Sequence, residues 1–384
     1  MNAIGIIFSN IHDNHLPEFT KERTFGAVPF GGRYRLIDFV LSNMTNSGIT
    51  TVGVVARNNY HSLTSHLGSG KEWDLSRKFG GLTIYPPYST ASGRSLYTGR
   101  LEALKNVYNY IARAREDYVV LSDCDVVCNM DYAEVLRFHK ENNADITAVY
   151  HKVDISEFSG EKLVTYKITD GNCVKTHVGG HPSGVQNLSM SMWLLKKELL
   201  LKIIDEALAT GLQSFERDIL AVNAADLKIV GYEFTGYARQ IVSTPDFFRA
   251  NLELLDRKVR DELCQKDRPI YTKVYDAAPA RYMNGASVRN SLIANGSVIM
   301  GTVENCVLGR EVYIAKNTVV KNSVIMHGAI INENCVVNNC ILDKKTVVRP
   351  GQTLSGTENY PFVAVKGSII SGDIHENTIY GVGK

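Results

Sequence analysis

Short apolar runs separated by amphipathic stretches set the rhythm of residues 1–255. That alternation predicts strands and crossover helices of a mostly parallel sheet. Segments 3–8, 51–56, 118–121, 145–150 and 190–195 are rich in β-branched or bulky apolar residues, and each reads as a strand. Leu101, Leu104, Val107, Tyr108 and Ile111 recur at helical spacing and predict one helix over 101–114. Pro245, directly after Thr244, opens a second over 246–263.

After about Ala277 a short repeat replaces the helical periodicity. Leu292, Val298 and Val303, then Val319, Val324, Ile330, Val336, Ile341 and Val347, recur nearly every sixth position, with slips to five, and Asn, Gly and Ser fill the intervals. This spacing predicts a β-solenoid of three short strands per coil; antiparallel hairpins are the alternative. The flat ends and edges of a solenoid favour pairing with a copy or a homologue. The expected layout is an α/β domain over 1–255, a linker over 256–284 and a solenoid over 285–384.

Composition narrows the function classes. The 384 residues are 44% hydrophobic, enough for two cores, and 42 basic against 40 acidic residues leave a net charge of +2. No long run of one sign suggests a nucleic-acid or membrane surface, and the apolar start at Ala3 is too short to span a bilayer and lacks signal-peptide features. Seven cysteines (124, 128, 173, 264, 306, 335 and 340) are odd in number and scattered, as expected of free thiols in a reducing cytoplasm. Cys124 and Cys128 lack the spacing and histidine partners of a zinc site.

Several long motifs in one order carry a resemblance. Ala27-Val28-Pro29-Phe30-Gly31-Gly32-Arg33-Tyr34-Arg35-Leu36-Ile37-Asp38 is followed by Asn46-Ser47-Gly48-Ile49; then come Trp73-Asp74-Leu75-Ser76-Arg77, Gly80-Gly81 and Pro86-Pro87-Tyr88. Asn129-Met130-Asp131-Tyr132, the run from Phe138 to Asp145 and the repeats from Asn322 to Lys345 complete the set. Over nearly its whole length the chain strongly resembles the glucose-1-phosphate adenylyltransferase (ADP-glucose pyrophosphorylase) family. The resemblance implies a Rossmann-like, GT-A-like nucleotidyltransferase domain followed by a left-handed parallel β-helix of hexapeptide repeats. It also implies transfer of a nucleotidyl group from ATP to glucose 1-phosphate, the committed step toward glycogen.

That chemistry needs a glycine-rich turn for the triphosphate, cations for the phosphates and carboxylates for magnesium. Aligned on Ala27, the family's glycines fall on Asn10, Ile11 and Asp13, its loop arginine on His15 and its lysine on Phe25. Each lost cation removes a charge-assisted hydrogen bond of about 2–4 kcal/mol, and Asp13 adds repulsion. The first magnesium aspartate falls on Asp125, which is therefore either a vestigial metal ligand or a turn cap; the second falls on Gln240, a neutral amide. The family's Glu-Lys-Pro motif should lie between Val174 and Gln186, where the chain reads Val178-Gly179-Gly180-His181-Pro182. His12 and His15 have no evident carboxylate partner and read as exposed loop residues. Ser189 and Glu102 match sugar-contacting positions as remnants, although Arg100 and Leu101 depart from the family's pattern there.

Arg35 occupies a position that the family uses to bind activators. Arg35 and Arg33 are thus candidate effector or phosphate forks, with Arg23 and Lys21 weaker ones, and solvated surface charge is the alternative. The selective losses resemble the family's non-catalytic, regulatory subunit type. The expectation is a chain inactive alone that needs no cofactor, joins a magnesium-dependent catalytic subunit in a hetero-oligomer, a tetramer, or pairs with itself, and responds to a sugar-phosphate effector. Two rivals stand beside it: an active sugar-phosphate nucleotidyltransferase with rearranged ligands, and a standalone sugar-phosphate sensor.

Overall fold

The computed structural model describes residues 1–374 except 88, 91–92, 95–98, 159–162, 170–173, 180–182 and 223–225. Tyr88, Cys173 and the Gly180-His181-Pro182 part of the missing Glu-Lys-Pro interval lie outside the described residues.

Four apolar strands, β1 (Ala3–Phe8), β2 (Thr51–Val55), β3 (Gly81–Tyr85) and β4 (Tyr118–Asp123), pair in parallel in the order β4-β1-β2-β3. β1, β2 and nearly all of β4 are buried, as strands covered on both faces by helices must be. Five more strands extend the sheet beyond β4: β5 (Ile146–Asp154), the hairpin β6 (Val164–Ile168) and β7 (Val174–Val178), the long β8 (Val185–Lys196), and β9 (Ile229–Glu233). β8 runs antiparallel to both β4 and β5, while β9 is parallel to β5. The mixed sheet thereby brings the C-terminal end of β4 beside the middle of β8. Separate apolar clusters cover the two faces, one holding Phe30, Phe39 and Phe247, the other Leu101, Trp193 and Phe215.

Neither long helix is continuous. The first divides at Val107 into α1 (Arg100–Asn106) and α2 (Tyr108–Arg113), because Val107 takes a tight turn with its N–H bonded to the Leu104 carbonyl. The second divides into α3 (Thr244–Glu253), capped by Ser243, and α4 (Arg257–Leu263), whose N-cap Asp256 accepts from the Lys258 N–H. Arg260 donates to the Leu254 and Leu255 carbonyls at that break, satisfying groups a helix end leaves open. α4 thus falls within the span 256–284, where the first solenoid strand, Arg281–Tyr282, also begins.

The C-terminal region is a left-handed β-helix of three parallel sheets with six, five and five strands. Val298, Tyr313, Ile330, Val347 and Ile369 stack in register along one sheet, and their neighbours Ile299, Ile314, Ile331 and Val348 fill the interior. Asn290, Asn305, Asn322 and Asn339 turn successive corners with positive φ, a conformation asparagine tolerates better than most residues. Side-chain amides link Asn290, Asn305 and Asn322 from coil to coil.

The two regions share one core. Val324, Met326 and Ile341 of the β-helix join the cluster around Phe30 and Phe247. Gly32, at φ +76, lies so close that a Cβ there would stand 2.9 Å from the Leu308 carbonyl oxygen. Arg23 grips Asp343 through two hydrogen bonds of 3.0 and 2.7 Å in a buried bidentate pair.

Candidate functional site

β4 ends at Asp123, and a bend through Cys124 and Asp125 follows it, so that the two carboxylates face the same imidazole, that of His12. Both are buried, at 1% and 0% exposure. Three other segments close over them. α1 brings Arg100, whose Nε lies 3.2 and 3.1 Å from the two Asp123 oxygens and whose Nη2 also donates to Asp123. Its Nη1 donates to Glu216 Oε1 at 2.5 Å, and its guanidinium lies 5.2 Å from the centre of the Trp193 ring.

The loop after β1 supplies the other cover. His12 Nε2 sits 2.7 Å from Asp123 Oδ2 and 3.5 Å from Asp125 Oδ2. Burial alone would lower the His12 pKa, but the Asp125 and Asp123 carboxylates raise it above its ordinary value. The exposed, unpartnered histidine expected from sequence is therefore corrected for His12, whose partner is 111 residues away. His15 packs on His12 with ring centres 4.7 Å apart, and Phe25 meets both rings edge-on. Burial, then the neighbouring His12, lower the His15 pKa to about 4. Asp13 closes the loop on itself by accepting from the Phe25 N–H and the Asn10 amide, both at 2.8 Å.

Gln240 lies on a short strand, Ala238–Gln240, that pairs with Val126–Cys128. Its Nε2 donates to Asp125 Oδ2 at 2.7 Å, and the Ser191 hydroxyl is 3.4 Å from the same oxygen. Asp125 Oδ1 is buried and has no hydrogen-bond partner. Burial, reinforced by Asp123, raises the Asp125 pKa; Asp123 is held below the usual carboxylate range because Arg100 and His12 outweigh its burial. Among the described residues, ligand atoms of His12, Asp123 and Asp125 lie within 4.8 Å of one another. Ser189 is also buried nearby, 2.8 Å from the Tyr166 hydroxyl, which accepts from the Trp193 indole N–H at 3.1 Å. Glu102 is half-buried on α1.

The candidate effector cations sit elsewhere. Arg33 and Arg35 line a cavity between the two regions together with Tyr275, Arg310 and Lys344, and among the described residues no acidic one lines it. Arg35 Nη1 donates to the Ser62 carbonyl and hydroxyl at 2.7 and 3.0 Å, and Arg310 stacks 4.4 Å from the Tyr275 ring centre. Burial, then Arg35 and Arg23, push the Lys344 pKa down to about 7. Arg23 itself is engaged by Asp343, next to Lys344, and Lys21 is exposed on the surface.

The sequence-picked residues therefore divide. His15, Phe25, Asp125 and Gln240 converge on one pocket, and Arg33 and Arg35 on another. Arg100, Asp123, Glu216, Arg310 and Lys344 were not foreseen. Only the Asp-x-Asp spacing and Arg100's departure from the family pattern carried a signal for any of them.

A family model described as "Nucleotidyl transferase" matches residues 13–160, and one described as "GlmU-like, C-terminal hexapeptide" matches 278–359. A "Glycogen biosynthesis protein GlgD" of Bacillus subtilis (strain 168) is 36% identical over 371 residues, 97% of each chain. The protein of the same name from Geobacillus stearothermophilus is 38% identical over 366 residues, 95% of this chain and 96% of that one. A "Glucose-1-phosphate adenylyltransferase" of Clostridium botulinum (strain Alaska E43 / Type E3) is 36% identical over 380 residues, 98% of each.

Proposed function

The chain belongs to the glucose-1-phosphate adenylyltransferase family, and we propose that it is a non-catalytic, regulatory subunit that assembles with a catalytic homologue in glycogen biosynthesis. The observation that carries this reading is that the pocket's carboxylates already hold protein groups. Magnesium takes oxygen ligands in a near-octahedral array and keeps several waters. The residues here fit it poorly. Gln240 turns an N–H donor toward Asp125, and Arg100 covers Asp123 and places positive charge where a dication would lie. The third nearby ligand atom is an imidazole nitrogen.

The nucleotide side supports the same reading. Phe25 stands where the family carries a lysine, and Asp13 folds the loop back on itself. Magnesium chemistry then belongs to the partner's own site. Regulation works by population shift: contacts that this chain makes only with the partner's active conformation favour that conformation. A sugar-phosphate effector is accommodated by the Arg33, Arg35, Arg310 and Lys344 cavity, whose cations and lack of acids suit a phosphate group.

The test pairs two assays. The purified chain with magnesium, ATP and glucose 1-phosphate should make no ADP-glucose. Mixed with the catalytic homologue of the same genome, it should change that enzyme's rate and form a species heavier than either protein alone. Turnover by this chain that is lost in Asp125→Ala, or a mixture unchanged in both rate and mass, overturns the proposal.

A further inference from the structure

Three carboxylates, Asp123, Asp125 and Glu216, converge with at most 6% exposure each. A cluster of that kind is stable only if positive charge enters it, because unpaired buried carboxylates cost several kcal/mol apiece. In this chain the charge comes from α1. Gly99 precedes Arg100, and a Cβ at Gly99 would stand 2.4 Å from the Gln213 carbonyl oxygen, so the missing side chain lets α1 start hard against the segment that carries Glu216. The Arg100 fork then reaches both Asp123 oxygens and Glu216, with Trp193 beneath it. His12 Nε2 lies 3.4 Å from Arg100 Nη2 and faces both aspartates.

What remains is a one-nitrogen, two-carboxylate donor set with its ligand atoms within 4.8 Å of one another, and a buried Asp125 Oδ1 that has no partner. We propose that Arg100 is a tethered cation standing in for a divalent metal ion. While Arg100 is present it excludes metal from the pocket, and its removal turns His12, Asp123 and Asp125 into a divalent-metal site. The guanidinium is always charged, cannot dissociate and satisfies Asp123 bidentately. The mixed imidazole and carboxylate donors suit manganese better than magnesium.

This inference rests on the reading that the pocket does not hold a working metal–nucleotide complex. Its test is ion binding to the isolated chain, so it fails separately from the partner assay. The full-length protein is titrated with Mn2+ and followed by the ion's paramagnetic resonance signal. The natural chain should show no saturable site. Arg100→Ala should gain one site, at least roughly tenfold tighter than any binding to the natural chain, and Arg100→Ala/Asp125→Asn should lose it. Should Arg100→Ala not fold, Arg100→Gln/Glu216→Gln removes the cation together with one acid and leaves the three donors in place. Manganese binding to the natural chain as tight as to the variants overturns the proposal, and so does a folded variant lacking Arg100 that binds no manganese.

Discussion

Lys344 shows what one residue contributes to the cavity between the two regions. Its amine is half-buried beside Arg35, Arg23 and Lys366, and Asp343, which acts in the opposite direction, already holds Arg23. The folded pKa of about 7 lies below the ordinary 10.5. Within that window the unfolded chain binds a proton that the folded chain has released, so stability rises with pH across it. Below it the amine is charged in both states and its repulsion weighs fully on the folded one. Lys344→Met should therefore raise the melting temperature, with a larger gain near about pH 6 than near about pH 9. Millimolar inorganic phosphate should stabilise the natural chain most at the acidic end. Thermal scans across pH, with and without phosphate, check both, and a gain independent of pH contradicts the argument. Residue-scale features of this kind were hard to read from sequence. Arg33 and Arg35 were visible in one motif, but Arg310 and Lys344 reach them only through tertiary packing, and His12 looked unpartnered because Asp123 is 111 residues distant.

At the scale of elements the sequence was more legible, because strand and solenoid periodicities are local signals. Runs of β-branched residues located β1, β2 and β4, and the six-residue recurrence of valine and isoleucine marked the coils of the β-helix. The helix breaks at Val107 and after Glu253 escaped, since apolar spacing continues across both and only capping by Asp256 and Arg260 fixes the second. The corner asparagines allow an element-scale test. Asn322 holds φ at +44, accepts from the Asn305 amide at 3.2 Å and donates to Asn338 at 3.2 Å. Asn322→Gly keeps the backbone geometry and loses only the amide ladder, a cost of about 0.5–1.5 kcal/mol. Asn322→Val forces a β-branched side chain into the left-handed region and adds about 1–3 kcal/mol of strain. Chemical denaturation should rank natural chain, glycine variant and valine variant in that order; equal stability of the two variants would contradict the role assigned to the turn.

For the whole molecule the decisive contact is the one that makes two regions behave as one body. Arg23 follows the loop that folds over the pocket of Asp123 and Asp125, and Asp343 lies 320 residues later, directly before Lys344. No local pattern could have paired them. The pair is buried at 3% and 1% exposure, so removing one partner leaves a charge without water or counter-ion. Asp343→Asn should cost about 3–5 kcal/mol, whereas Arg23→Met/Asp343→Leu, which removes both charges, should recover most of that loss. The apolar contacts of Val324, Met326 and Ile341 with the N-terminal core survive in either variant, so the β-helix stays docked while its clamp is lost. Because Lys344 adjoins the clamp and Arg35 faces it across the cavity, Asp343→Asn should also weaken anion binding, even though removing a carboxylate makes the site more positive. Calorimetry with a sugar phosphate distinguishes the two effects. Tighter binding would mean that net charge governs the cavity; weaker binding means that the geometry held by Arg23 and Asp343 governs it, the outcome expected of a site built between two regions.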